Sequence, residues 1–402
     1  MTQSVFDPIP AYGGDPILSL MYDFQADPRP NKVSLSIGLY FDGQGRLPVL
    51  RSVREAATAL AQSIGPSGYL PMEGMQAYRQ EVQRLVFGVG HRALTEGRIA
   101  TLQSLGGSGA LKVGADFIKR YFPQAQVWVS DPTWENHVAL FEGAGLTVNT
   151  YPYYDAVTGG LRFDAMLEAF KAMPSGSVVL LHASCHNPTG VDLSRDQWQA
   201  LIPVIAQRGL MPFVDMAYQG FGDGPDEDAW SVRALADAGV EMFVANSFSK
   251  NFSLYGERVG GLSVVCASAQ AADIVLGQLK ATVRRNYSSP PTYGAQLVTR
   301  VLSSPQAVAS WQEELAGMRD RMRQMRIKFH GALKAHFGDR RNFDFLVNQR
   351  GMFSYTGLNP QQVDRLRTEH GVYLVGSGRL CVSGLTEDNV GHVAQAFIQL
   401  LD

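Results

Sequence analysis

The stretch NSFSKNFSLYGERVGG, residues 246–261, decides how the rest of the chain is read. It follows the apolar run Met242–Ala245, which predicts a buried strand, so its polar residues emerge together at that strand's carboxyl end. Open α/β sheets place their ligands there. Lys250 follows the small hydroxyl residues Ser247 and Ser249 and precedes Arg258 in a loop of Gly and Ser. An amine, two hydroxyls and a guanidinium suit a phosphorylated aldehyde: the lysine forms an imine with the carbonyl, and the serines and arginine hold the phosphate. Of the chain's eight lysines, Lys112, Lys119, Lys171, Lys280, Lys328 and Lys334 fall in helix-like segments, where solvated charge is sufficient explanation. Lys250 alone directly follows an apolar strand.

Working toward the amino terminus, the same rhythm recurs. VWVS (127–130) leads into DPTWENH, SVVLLH (177–182) into ASCHNPTG, and MPFVD (211–215) into MAYQGF. Ser194 and Gln197 have capping-box spacing and Gly209 closes the helix between the last two strands. Strands alternating with helices imply an α/β fold with a mostly parallel sheet between helices. Each strand ends in residues with chemical handles: Trp134 and His137, Asn187, then Asp215 and Tyr218. Further upstream, LQSLGGSGALKVGADFIKRYF places Leu111, Gly114, Ala115 and Ile118 at helical spacing. That predicts a helix beginning just after Gly107 and Ser108, whose free N–H groups favour a phosphate. Lys112 stands where a dinucleotide fingerprint needs its third glycine, which argues against that fold. Ser247–Lys250 also spells the S-x-x-K of penicillin-recognising acyl-transfer enzymes, but their S-D-N and K-T-G strings do not occur.

Residues 1 to about 30, rich in Pro, Gly and Asp, predict an arm with one short helical piece, Ile17–Phe24. A strand over Lys32–Ser36 enters a loop with Gly38, Gly43 and Gly45, and Tyr69 lies in a helix break. Downstream, Ser304 and Pro305 open a helix reaching about Phe337, with Trp311, Leu315, Met318, Met322, Met325 and Phe329 in one apolar stripe. It is long enough to join two domains. Strand-like FSYTG (353–357) and RLCVSG (379–384) predict a smaller α+β unit after it. The expected division is 1–45 as arm and part of the small domain, 46–310 as the large domain, and 311–402 as the small domain with the long helix.

At 402 residues, 45% hydrophobic and 18% charged, the chain supports a large core. Its formal net charge of −2 supplies no global field for nucleic acid or anionic membrane. Cys185, Cys266 and Cys381 lack metal or redox spacing, which predicts reduced thiols, no disulfide and no metal site. Without a leader-like amino terminus or a spanning apolar run, a cytoplasmic protein is expected.

YLPMEG, GGSGALK, DPTWENH, HNPTG, DMAYQGF, SFSKNF, YGERVG, NYSSPP and GRLCVSG occur in this order. With them the sequence resembles the class I aminotransferases over nearly its whole length, in particular the aspartate and aromatic amino acid subgroup. The resemblance implies pyridoxal-phosphate fold type I, with a seven-stranded sheet in the large domain. It implies that Lys250 holds the cofactor aldehyde and moves the substrate proton, and that Asp215, backed by His137, keeps the pyridine nitrogen protonated. Asn187 and Tyr218 would bond the phenolic oxygen, and Trp134 would stack on the ring. Gly107, Ser108, Ser247, Ser249 and Arg258 would hold the phosphate, joined by Tyr69 from a second subunit of a homodimer.

For the substrate, the resemblance assigns the α-carboxylate to Arg379, with Gly38, Trp134 and Asn187 beside it, and a distal carboxylate to Arg284 of the neighbouring subunit. The register R-x-N-Y-S, Arg284 to Ser288, favours Arg284 over Arg285. Where the aspartate branch carries Val, Lys, Thr, Asn, Thr and Asn, this chain has Leu39, Phe41, Leu47, Gly68, Ser108 and Ser289. Leu39, Ser108 and Ser289 match the aromatic branch, Phe41 and Leu47 are near equivalents, and Gly68 matches neither. A less polar pocket mouth favours a phenyl or indole side chain. The expected activity is transamination of Phe, Tyr and Trp, with Asp and Glu also accepted, against 2-oxoglutarate or oxaloacetate. An aspartate-preferring enzyme, another fold type I lyase and a non-catalytic sensor domain are the alternatives.

Overall fold

A computed structural model of the chain describes residues 4–14, 16–63 and 65–402. Its centre is a seven-stranded sheet. In chain order the strands are β1 (Ile99–Leu105), β2 (Gln126–Asp131), β3 (Thr147–Pro152), β4 (Val178–His182), β5 (Met211–Met216), β6 (Met242–Ser247) and β7 (Val259–Val265). They lie side by side as β1-β7-β6-β5-β4-β2-β3. All neighbours are parallel except β7, which runs against both β6 and β1.

The expected strands at 127–130, 177–182, 211–215 and 242–245 are present, each within two residues at its ends. Alternate residues of one strand enter opposite cores. Leu180, Phe213, Phe243 and Leu262 face one set of helices, and Leu181, Val214, Val244 and Val265 face the other. That two-sided burial explains why the middle strands read as unbroken apolar runs.

Helix α1 (Gly106–Tyr121) starts three residues before the predicted point, so Gly107 and Ser108 form its first turn rather than precede it. Gly106, at φ +67°, makes the sharp exit from β1. A Cβ on Gly114 would come within 2.5 Å of the Phe213 ring, so that glycine lets α1 lie against β5 and fixes where its amino end points. The other helices that shape the site are α2 (Glu135–Glu142), α3 (Arg195–Arg208), α4 (Ala269–Asn286) and α5 (Pro305–Phe337). The capping box at Ser194 and Gln197 and the left-handed Gly209 bound α3 as predicted.

α5 runs 33 residues, and Trp311, Leu315, Met318, Met322, Met325 and Phe329 are all buried. Trp311 donates its indole N–H to the Asn251 carbonyl at 2.7 Å, tying the start of the helix to the residue after Lys250. The predicted strand over Lys32–Ser36 is only Val33–Ser34, paired parallel with Val372–Tyr373. Phe353–Tyr355 pairs antiparallel with Arg379–Cys381. All three cysteines are buried free thiols. Among the described residues no helix is long and apolar enough to cross a membrane.

Candidate active site

A cavity of about 1040 Å³ opens at the carboxyl ends of the parallel strands. Its floor is Asp215, the penultimate residue of β5, with Lys250 just beyond β6 and Asn187 beyond β4. Lys250 has no hydrogen-bond partner for its amine among the described residues; the nitrogen lies 4.9 Å from the centre of the Tyr218 ring. Desolvation, with Arg258 and Arg379 adding to it and Asp215 opposing, brings its pKa down to about 8. A strongly hydrated ammonium becomes an available nucleophile by this route.

Asp215 accepts from His137 Nε2 at 2.9 Å, and His137 Nδ1 meets Thr133 Oγ1 at 2.8 Å. Burial pushes the Asp215 carboxyl up, but the His137 hydrogen bond and charge, His182 and Lys250 outweigh it and hold the group below the usual range. Its other oxygen has no hydrogen-bond partner among the described residues. A buried carboxylate, ionised and half satisfied, is built to face a cationic group.

Arg379 is 5% exposed. Its Nη1 donates to Asn187 Oδ1 at 3.2 Å and its Nη2 to the Ser36 carbonyl at 2.7 Å, while its Nε has no partner. The guanidinium carbon stands 4.4 Å from the centre of the Phe353 ring. The fork is thus aimed, with donor capacity left for a planar anion.

On the opposite wall lie the first turn of α1, Ser247, Ser249 and Arg258. A Cβ on Gly106 would sit 2.8 Å from the Arg258 guanidinium, and one on Gly107 would sit 3.3 Å from Ser247 Cβ. These approaches bring helical N–H groups, hydroxyls and a guanidinium to one point, an arrangement suited to a phosphate. Trp134 caps α2 on the remaining side, edge-on to His137 at 5.1 Å. Gly38 completes the wall, and a Cβ there would be 3.0 Å from Phe353. A phosphorylated, aldehyde-bearing aromatic ring fits these donors: cradle at one end, unpaired amine and carboxylate at the other.

His137 stands behind the wall rather than in it. Tyr69 is 99% exposed and Arg284 is exposed at the end of α4, donating to Ser288 Oγ; neither lines the cavity of its own chain. Leu39, Phe41 and Ser289 also lie off its wall, and Leu47 is solvent-exposed.

Several functional neighbours escape a reading of the sequence. His182, the residue paired with Asp215 in register, is buried beside His137 with its Nε2 unpartnered; burial brings its pKa down to about 3, with His137 adding to that and Asp215 opposing. Its signal was a histidine ending an apolar strand. Asp192 accepts from the backbone N–H groups of Cys185 and His186 at 2.7 and 2.8 Å, clasping the turn that carries Asn187. Tyr255 also lines the cavity and accepts from Tyr40 N–H at 2.8 Å.

Residues 30–397 match the aminotransferase class I and II family, and the chain belongs to it. Within that family it is 58% identical over 398 residues to the aromatic-amino-acid aminotransferase of Escherichia coli, covering 99% of this chain and 100% of that one. A crystal structure of an aromatic amino acid aminotransferase from Burkholderia cenocepacia is 62% identical, with a TM-score of 0.96 over 99% of both chains. An aromatic-amino-acid aminotransferase from Burkholderia pseudomallei, solved covalently bound to pyridoxal phosphate, is 50% identical, with a TM-score of 0.97 over all of both chains.

Proposed function

We propose that this aminotransferase uses pyridoxal 5′-phosphate to exchange amino groups between aromatic L-amino acids, with aspartate and glutamate also accepted, and 2-oxoglutarate or oxaloacetate. The carrying observation is that Lys250, one oxygen of Asp215 and the Nε of Arg379 are all unpartnered at a single cavity. When bound, the cofactor supplies an aldehyde that carries the amino group and a ring that accepts the electrons left as the Cα proton departs.

Lys250 Nζ would hold that aldehyde and, once released from it, would take and return the proton at Cα, a task suited to an amine lowered to about 8. Asp215, oriented by His137, keeps the ring nitrogen protonated. Asn187 and Tyr218 donate to the phenolic oxygen, and Trp134 covers the ring. Gly107, Ser108, Ser247, Ser249 and Arg258 grip the phosphate. Arg379 binds the substrate α-carboxylate beside Gly38 and Asn187.

The active unit is a homodimer, in which Tyr69 of the partner subunit reaches the phosphate and Arg284 of the partner subunit meets a distal carboxylate. The exposure of Tyr69 and Arg284, away from their own cavity, supports this. Leu39, Phe41 and Ser289 tune the mouth for an aromatic ring. The domain division at about 45 and 310 places the cradle in the large domain and Arg379 in the small one. Buried free cysteines fit a cytoplasmic setting.

Absorbance between 300 and 500 nm tests the reading. The purified holoenzyme should show a visible band that phenylalanine and, separately, aspartate convert to a near-ultraviolet form. A response to aspartate alone would make it an aspartate-preferring enzyme, and no response to either would overturn the proposal.

A further inference from the structure

Arg326 lies on α5 and is 4% exposed, yet no carboxylate pairs with it among the described residues. Its Nη1 donates to the Leu346 carbonyl at 2.9 Å and to Ser354 Oγ at 2.5 Å; its Nη2 donates to the carbonyls of Gly351 at 3.0 Å and Phe353 at 2.5 Å. A buried cation without a counter-ion is costly unless its donors are met. Here both Nη groups are met, two acceptors each, by one stretch, 346–354, curled around the guanidinium.

That stretch supports the substrate-facing side of the cavity. Phe353 pairs with Cys381 and Tyr355 with Arg379 in the small antiparallel ladder, and the Phe353 ring lies beneath the Arg379 guanidinium. The turn carrying Asn187 rests on the same backbone. Arg350 N–H donates to the Gly190 carbonyl at 2.7 Å, and a Cβ on Gly190 would come within 2.5 Å of the Phe353 carbonyl. Asn187 in turn receives the Arg379 hydrogen bond.

We infer that Arg326 is a positioning residue for the substrate α-carboxylate: by holding the 346–354 backbone it sets the platform that aims Arg379 and Asn187. The inference rests on the reading of Arg379 as the carboxylate clamp. The planar fork matters here, because an ammonium offers its three donors from one point and cannot span four acceptors spread around a ring.

The test compares wild-type holoenzyme with Arg326→Lys and, in parallel, Arg379→Lys. The probes are 3-phenylpropionate, which carries the carboxylate, and 3-phenylpropanol, which does not. Binding is followed through competition with phenylalanine turnover and through the bound cofactor's spectrum. Arg326→Lys should weaken 3-phenylpropionate about 10-fold and raise KM for phenylalanine and aspartate alike, with 3-phenylpropanol binding and cofactor content within about 2-fold of wild type. Unchanged 3-phenylpropionate binding in Arg326→Lys, with Arg379→Lys impaired, would overturn the inference. So would equal weakening of both probes, which marks general loosening. Unimpaired Arg379→Lys would instead defeat the clamp reading on which the inference stands. If Arg326→Lys does not fold, Ser354→Ala, which removes one acceptor only, carries the same comparison with an expected loss of about 3-fold.

Discussion

The surroundings of half-buried Lys250 and of buried Arg326 treat a cation in opposite ways. Both Nη groups of Arg326 are met by two oxygen acceptors each, and burial brings its pKa down only to about 10, still protonated at any physiological pH. Lys250 has no acceptor, and desolvation takes it to about 8, where a sizeable fraction is neutral amine. Arg379 stands between them, with two donors used and its Nε left over. At this cavity the cations that line it keep unmet donors, whereas the one behind it has both Nη groups held by the scaffold. Removing a cation of the first kind should abolish reaction, and removing one of the intermediate kind should lose substrate.

The largest expected effect is that of Lys250→Ala, which should reduce multiple turnover by about 10⁴-fold or more while pyridoxal phosphate still binds, checked by steady-state rates and bound-cofactor absorbance. Near-normal turnover would erase the distinction between the two environments. Next, Arg379→Gln should lower kcat/KM about 100-fold or more for phenylalanine and aspartate equally, since both present the same α-carboxylate. A loss confined to one substrate would assign Arg379 a side-chain role instead. Arg284→Ala sharpens that contrast: kcat/KM for aspartate should fall about 30-fold and that for phenylalanine change by less than about 3-fold.

The smallest effect is on stability. In the apoprotein a protonated Lys250 carries an unfavourable burial, so Lys250→Met should be the more stable at neutral pH. Because the folded pKa lies below the ordinary 10.5, the unfolded chain binds the extra proton between about 8 and 10.5. The wild type should therefore gain on the variant across that window, and the gap should close above it. Denaturant midpoints at several pH values, with cofactor removed, measure this; a gap independent of pH would mean that the amine is not desolvated.

Much of this was legible because strand ends write themselves plainly. Asp215, Tyr218, Asn187, Trp134 and Lys250 each follow an apolar run, so both their element and their common edge could be read. Strands β1, β3 and β7 were harder. β3 is an edge strand with the polar pattern TVNTYP, and β7 has Gly260 and Gly261 directly after its first residue, which read as loop. The glycine at 260 is there because a Cβ would lie 2.6 Å from the Asn246 carbonyl oxygen on β6 and from the Gly106 carbonyl carbon. Arg379 was legible only through family resemblance, since nothing in RLCVSG says that its first residue is buried. Arg326 was hidden by type rather than position. It is four residues after Met322 and three before Phe329, on the buried face of α5, and that spacing was the available signal.

The connection between β6 and β7, residues 248–258, carries Lys250 and Arg258 together, whereas Asn187 and Arg379 meet across 192 positions of sequence. Closing the short loop demands little chain entropy, and the long one much more. Assembly should thus proceed in an order set by topology: the Lys250 amine and Arg258 guanidinium meet early, and Arg379 reaches Asn187 last. In refolding experiments with pyridoxal phosphate present, cofactor capture should precede recovery of 3-phenylpropionate binding. A chain arrested between those stages would hold its cofactor and still be blind to its substrate.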